Sequence, residues 1–330
     1  MIQRTLLILL TVLTLQGCKL GTSGTFKNDN IDKDIKEQIK VINDKLFKAI
    51  TTNNVNDVRL LMSDALLEKG VVDLDTLVNQ IYNSFSADSY RILDEYYVQN
   101  STTGIGNTLP SGVSGDNDYI IQYKALNKEM YVSLLLPNGL ENDMLLLVIY
   151  GKYGNNWKIN IIQFGEYSYF GKLAPDYYKL AKDCYNKSYL IDAVNYIGLA
   201  KLCLRPATVF FQYQRENEIN EFYDKIMNEV NSKYKFPLTI DNIASKPKVF
   251  SIFPQMMNEG FFPMVYYLTD INLKDTTALE LENEKVKKEV GRLFPGIDQD
   301  KKFVFYWAFN EVPDGKKLVE HYGYIDQRTK

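Results

Sequence analysis

Apolar positions along the first third of the chain follow a helical beat. Ile35, Ile39, Ile42, Leu46 and Ile50 recur at spacings of four and three, which places them on one stripe and predicts a helix that Asp32 or Asp34 can cap. Asn53-Asn54 breaks the pattern. A second helix should carry Val58, Leu61, Met62, Ala65 and Leu66 and stop at Gly70, and a third should begin at Asp73 with Leu74, Leu77, Val78, Ile81 and Phe85. After Ser89 the beat shortens to two. Tyr90, Ile92, Asp94, Tyr96 and Val98 alternate with the opposite face, and apolar segments follow at 119–126, 130–136, 145–153 and 157–164. Pro137-Asn138-Gly139 and Gly154-Asn155-Asn156 are the turns of antiparallel strands. Between the first strand and the second lies a Ser-, Thr-, Gly- and Asn-rich stretch, Gln99 to Asp118, expected as a mobile tip in preference to a functional lid.

Helical spacing returns at Tyr177, Leu180, Ala181 and Cys184, then at Ala193, Ile197 and Ala200, and again over 218–230. The last hundred residues read β-β-α-β-β: strands at 249–253 and 264–268, a charged amphipathic helix over 277–293, and strands at 303–309 and 318–325.

Upstream of all this stands Arg4, an apolar run from Leu6 to Leu15, and Leu15-Gln16-Gly17-Cys18. The run is about half of the ~20 residues needed to span a bilayer, so it reads as a secretory leader, not an anchor. With a cysteine at the cleavage site it resembles a bacterial lipoprotein precursor, in which Cys18 becomes the acylated first residue of the mature chain. That resemblance implies one partner, a lipid bilayer held through acylated Cys18, and an address in the bacterial envelope outside the cytoplasm. Lys19 and Leu20 lack an acidic cluster, which favours the periplasmic face over the cell surface. Residues 18–31 are too polar to pack and are expected as a tether.

Composition narrows the field. A net charge of −3 with no basic run argues against nucleic acid as a partner. One histidine and three cysteines are poor material for a zinc site, and no cofactor is expected. Cys184 and Cys203 should lie roughly 15 Å apart along a helical hairpin, too far for a disulfide. The 24 tyrosines and 17 phenylalanines are read as base-composition bias filling cores, in preference to an aromatic binding surface.

The helices, the strands and the closing hairpin Tyr153-Gly154-Asn155-Asn156-Trp157-Lys158-Ile159 together resemble the nuclear transport factor 2-like superfamily over about residues 32–170. That resemblance implies a strongly curved sheet whose helices leave a conical pocket, used by some members for isomerase or dehydratase chemistry and by many only for association. Residues 174–206 resemble a single tetratricopeptide-like hairpin. The expected fold class is therefore α+β: a cone-like domain at 32–170, a helical spacer at 171–232, and a small antiparallel α+β domain at 233–330.

Candidate chemistry is sparse. Asp94 and Tyr96 share a strand face, and Tyr123 and Trp157 are candidate neighbours, so these four are the expected pocket-lining residues. No catalytic residue is assigned, because Asp94 reads more readily as solvent-facing and the aromatics as core. Gly104-Ile105-Gly106 lacks the strand-then-helix setting of a dinucleotide loop, and Asp116-Asn117-Asp118 lacks the spacing of a calcium loop. His321 shares a face with Val319 and Ile325 and reads as a half-buried structural residue. The balance is against an enzyme. The expected function is a membrane-anchored envelope lipoprotein that binds or assembles with a protein partner, the alternative being a small-molecule binder or enzyme using the cone.

Overall fold

A computed structural model describes residues 21–68, 73–84 and 86–328. The leader, Cys18 and Gly70 lie outside the described residues. The chain parts into two compact units, one running to Tyr167 and including Arg205–Tyr213, the other made of Ser168–Leu204 and Gln214–Lys330.

In the first unit, strand β1 (Thr22–Lys27) precedes helices α1 (Lys33–Thr51), α2 (Val55–Leu61), α3 (Asp64–Glu68) and α4 (Leu74–Ser84). Asp32 caps α1 by accepting from the amides of Asp34 and Ile35. Ile39, Leu46 and Ile50 are fully buried along the expected stripe, joined by Phe47 and Ala49. Six strands follow: β2 (Tyr90–Asn100), β3 (Gly106–Pro110), β4 (Tyr119–Lys124), β5 (Glu129–Pro137), β6 (Met144–Tyr153) and β7 (Asn156–Glu166). They do not form one sheet. The order β1-β2-β5-β6-β7 makes an open antiparallel sheet, while β4 pairs with β3 on one side and β8 (Phe211–Tyr213) on the other in a second, three-stranded sheet.

This division overturns the cone. The expected curved sheet had β4 as a member. Here its backbone partners are β3 and β8, and both sheets are open and uncurled, so no conical wall forms. Two other segments also differ from expectation. Thr22–Lys27, read as tether, pairs with β2 from Asn100 to Tyr96, because a polar strand still completes a ladder when its backbone is matched. Within the expected loop 99–118, residues 106–110 are strand β3.

The second unit begins with α5 (Ala174–Asn186) and α6 (Leu190–Leu202), which pack as a hairpin, followed by α7 (Glu216–Lys233). Then come β9 (Leu238–Thr239), β10 (Lys248–Met257), β11 (Gly260–Leu268), α8 (Thr276–Leu293), β12 (Phe303–Phe309) and β13 (His321–Gln327). The β-β-α-β-β order is present, with β9 added, in the sheet order β13-β12-β11-β10-β9. The all-antiparallel expectation is corrected: β11 and β12 run parallel, because α8 between them is a crossover that returns the chain in the same direction. Leu279, Val286 and Val290 of α8 are buried with Val265, Tyr267, Val304, Tyr306 and Ala308 of the sheet in one core.

Candidate functional site

The four expected pocket residues do not share one face, and a single bulge decides where Asp94 and Tyr96 point. The β2–β5 register runs Ile92 opposite Leu135 and then Asp94 opposite Leu134, which leaves Leu93 as the extra residue. A slip of one residue turns every later side chain to the other face. Tyr90 and Ile92 face α1, as the alternation predicts. Beyond Leu93, Glu95 and Tyr97 take over that side, and Asp94 and Tyr96 turn towards the three-stranded sheet.

There Asp94 is 8 % exposed and fully engaged. One carboxylate oxygen accepts from Lys27 Nζ at 3.0 Å and Asn28 Nδ2 at 2.8 Å, and the other from the Tyr119 hydroxyl at 2.5 Å and the Tyr96 hydroxyl at 3.4 Å. Burial, with the Tyr96 and Asp94 groups beside it, holds the Tyr119 phenol far above its ordinary value, so it stays a donor. Tyr123 is buried on β4, and burial raises its phenol too. Trp157 belongs to the opposite side: its indole Nε1 donates to Gln38 of α1 at 3.2 Å, and its ring meets Tyr97 and Tyr131 edge-on. Asp94 and Tyr96 therefore meet as expected, Tyr119 joins them, and Trp157 does not.

On the α1 side lies a groove of about 790 Å³ between α1 and the start of β2. Glu95, 4 % exposed, sits at its floor. One of its oxygens pairs with Lys36 Nζ at 2.7 Å, and the other accepts from the Tyr131 hydroxyl at 2.6 Å. Beside it Asn43 accepts from the Tyr150 hydroxyl at 2.6 Å and donates to Ser133 at 3.2 Å. At the mouth, Asp44 accepts from Tyr90 and Lys40. Burial alone would raise Asp44, but those hydrogen bonds outweigh it and hold the carboxyl below its ordinary value. A general base needs an oxygen open to substrate, and Glu95 has an ion pair on one and a phenol on the other. The arrangement locks α1 onto the sheet.

The second unit carries a different surface. On the sheet face opposite α8 stand Phe253, Phe262, Tyr266, Phe303, Phe305 and Trp307, most of them half-buried. Tyr266 and Trp307 stack at 5.0 Å and 10°, and His321 stacks on Trp307 at 3.9 Å and 21°. His321 is on the expected face with Ile325 but is exposed, because β13 is the outermost strand. Gly323 makes room for this ladder: a Cβ there would lie 3.3 Å from Trp307 Nε1. Alternating aromatics in Phe303–Phe309 were the available signal, but strand alternation alone does not say which of two apolar faces a helix will cover.

Cys184 and Cys203 are not joined in a disulfide, and burial pushes the Cys184 thiol up to about 11. Among the described residues, no group of three or more His, Cys, Asp or Glu could hold a metal ion, and no helix is long and apolar enough to cross a membrane.

Comparison with protein-family models, with curated proteins and with solved structures finds no match to this chain. Together with the open sheets, this overturns both resemblances: residues 32–170 are not assigned to the nuclear transport factor 2-like superfamily, and 174–206 are a helical hairpin without a tetratricopeptide identity.

Proposed function

We propose that the chain is an envelope protein, anchored to a bilayer through acylated Cys18, that works as a protein-binding or assembly module through the second unit. The observation that carries this reading is the aromatic ladder of Tyr266, Trp307 and His321 with the phenylalanines around it, on a sheet face that α8 leaves uncovered. Half-exposed aromatic clusters of this kind mark protein interfaces, where large rigid rings bury much area at low entropic cost. The groove of the first unit supports the same reading from the other side, since its Glu95 and Asp44 carboxylates are engaged in internal bonds. The anchored address rests on the leader and the cysteine at its end.

A photo-crosslinking side chain placed at Phe303 in the full-length protein in intact cells tests the proposal. A discrete protein adduct from position 303, absent when the probe replaces the exposed Leu281 of α8, is the expected result. Equal, diffuse labelling from both positions overturns it.

A further inference from the structure

Among the described residues, most sheet edges are short, bulged, interrupted by proline or bridged in part. On the five-stranded sheet of the first unit, β1 is short and bulged between Thr22 and Gly24, and β7 is bridged by Met62 while its Ile159 carbonyl accepts from the Ser63 amide at 2.9 Å. In the three-stranded sheet β3 ends in Pro110 and β8 has three residues. At one edge of the second unit's sheet β9 has two residues, and the part of β10 it leaves open contains Pro254 and follows a bulge between Val249 and Ser251. Short strands, prolines and bulges are the devices that keep edges from pairing. Strand β13 has none of them. All seven residues, His321-Tyr322-Gly323-Tyr324-Ile325-Asp326-Gln327, pair with β12 without a register shift, and the strand contains no proline, lysine or arginine.

We infer that β13 pairs antiparallel with β13 of a second copy of this chain, about a two-fold axis at Tyr324. This rests on the assembly reading and names its partner. A two-fold antiparallel pairing must match residues of like parity, so that both strands turn the same faces to the same side. Centring it on Tyr324 is the register that pairs all seven residues. It sets His321 opposite Gln327, Tyr322 opposite Asp326, and Gly323 opposite Ile325 of the second copy.

Two of these pairings are complementary. Ile325, 63 % exposed in the single chain, comes over Gly323, which has no side chain to obstruct it, and beside the Trp307 ring that leans across Gly323. The strand's one carboxylate, Asp326, meets a tyrosine instead of its own copy, and it already has Arg328 Nε at 2.9 Å and Lys287 Nζ at 3.7 Å. No like charges face each other. The two aromatic faces become one continuous face on a ten-stranded sheet, five strands from each copy.

The test is a pair of cysteines in the full chain, His321→Cys with Gln327→Cys. Within one copy these positions are about 20 Å apart along the strand and cannot bridge. Across the two-fold they are opposed at about 5 Å. The expected result is a reducible species at twice the single-chain mass from the double variant, absent from either single variant and suppressed when Ile325→Lys is added. Equal dimer from the single variants, or none from a folded double variant, overturns the pairing. Should the double variant fail to fold, sedimentation of the unaltered chain decides: a double-mass particle that Ile325→Lys converts to single mass supports the inference, and a single-mass particle overturns it. That last outcome leaves the adduct at position 303 to judge the assembly reading by itself.

Discussion

Polar groups are buried in opposite ways beneath α1 and beneath α8. Beneath α1, Glu95 and Asn43 each have partners on the sheet, and on the sheet's other face Asp94 has four. Beneath α8, the hydroxyls of Tyr267, Tyr306 and Tyr324 and both amide atoms of Asn283 have no hydrogen-bond partner among the described residues. Glu282 uses one oxygen, accepting from Ser245, and leaves the other unmatched. A bonded buried polar group fixes the register of the elements it joins, whereas an unmatched one costs stability and specifies nothing. Acid and phenol clusters in the first unit are therefore fold-specifying bonds, and the tyrosines under α8 serve by the area their rings bury.

That contrast can be broken most sharply at Lys36. Lys36→Met strips the ion pair from a carboxylate that stays buried, and should cost about 2–4 kcal/mol, read as a lower urea midpoint for the first unit. Tyr150→Phe comes next. It removes the donor to Asn43 Oδ1 and should cost about 1–2 kcal/mol in the same measurement. The matching change in the second unit, Tyr306→Phe, deletes a hydroxyl with no partner and should be neutral or stabilising, by less than about 1 kcal/mol. A loss from Tyr306→Phe as large as that from Tyr150→Phe would erase the distinction.

The smallest expected effect is in pH dependence, where one carboxylate from each unit should differ in sign. Burial raises the Asp192 carboxyl of α6 above its ordinary value, and Lys301, 2.8 Å away, only partly offsets this. A raised pKa means the folded state holds the proton more tightly, so this contribution is present below the ordinary carboxylate value and is lost as pH rises through the raised one. Asp44 is depressed, so its contribution is present above the ordinary value and is lost as pH falls through the lowered one. Urea midpoints followed from about pH 3 to 7 should show Asp192→Asn flattening the loss on the alkaline side and Asp44→Asn flattening the loss on the acid side.

Much of the local structure was legible because it depends on local signals. The α1 stripe, its Asp32 cap, the turns at Gly139 and Gly154 with positive φ, and the strand–helix order of the last hundred residues all follow from period and turn chemistry. What escaped reading depends on partners distant in sequence. Pairing β4 with β8 joins residues about ninety apart, which no local pattern encodes. The bulge at Leu93 leaves no mark in an alternation where Asp94 and Glu95 are both acidic and Tyr96 and Tyr97 both aromatic, so the alternation points to Asp94 as the pocket carboxylate while Glu95 lines the groove. The direction of β12 was hidden for the same reason: β-β-α-β-β order fits an antiparallel sheet as readily as a crossover. The aromatic face was legible as composition but not as a surface, because only the position of α8 decides which side of the sheet stays open.

The central claim is that function resides on the aromatic sheet of the second unit and not in the groove of the first. The most direct measurement follows the adduct formed by the photo-crosslinker at Phe303 in cells, in chains carrying either Trp307→Ala or Glu95→Gln. The account predicts that Trp307→Ala abolishes the adduct while Glu95→Gln leaves it in proportion to the folded protein present. Loss with Glu95→Gln at unchanged protein level, and retention with Trp307→Ala, would contradict it.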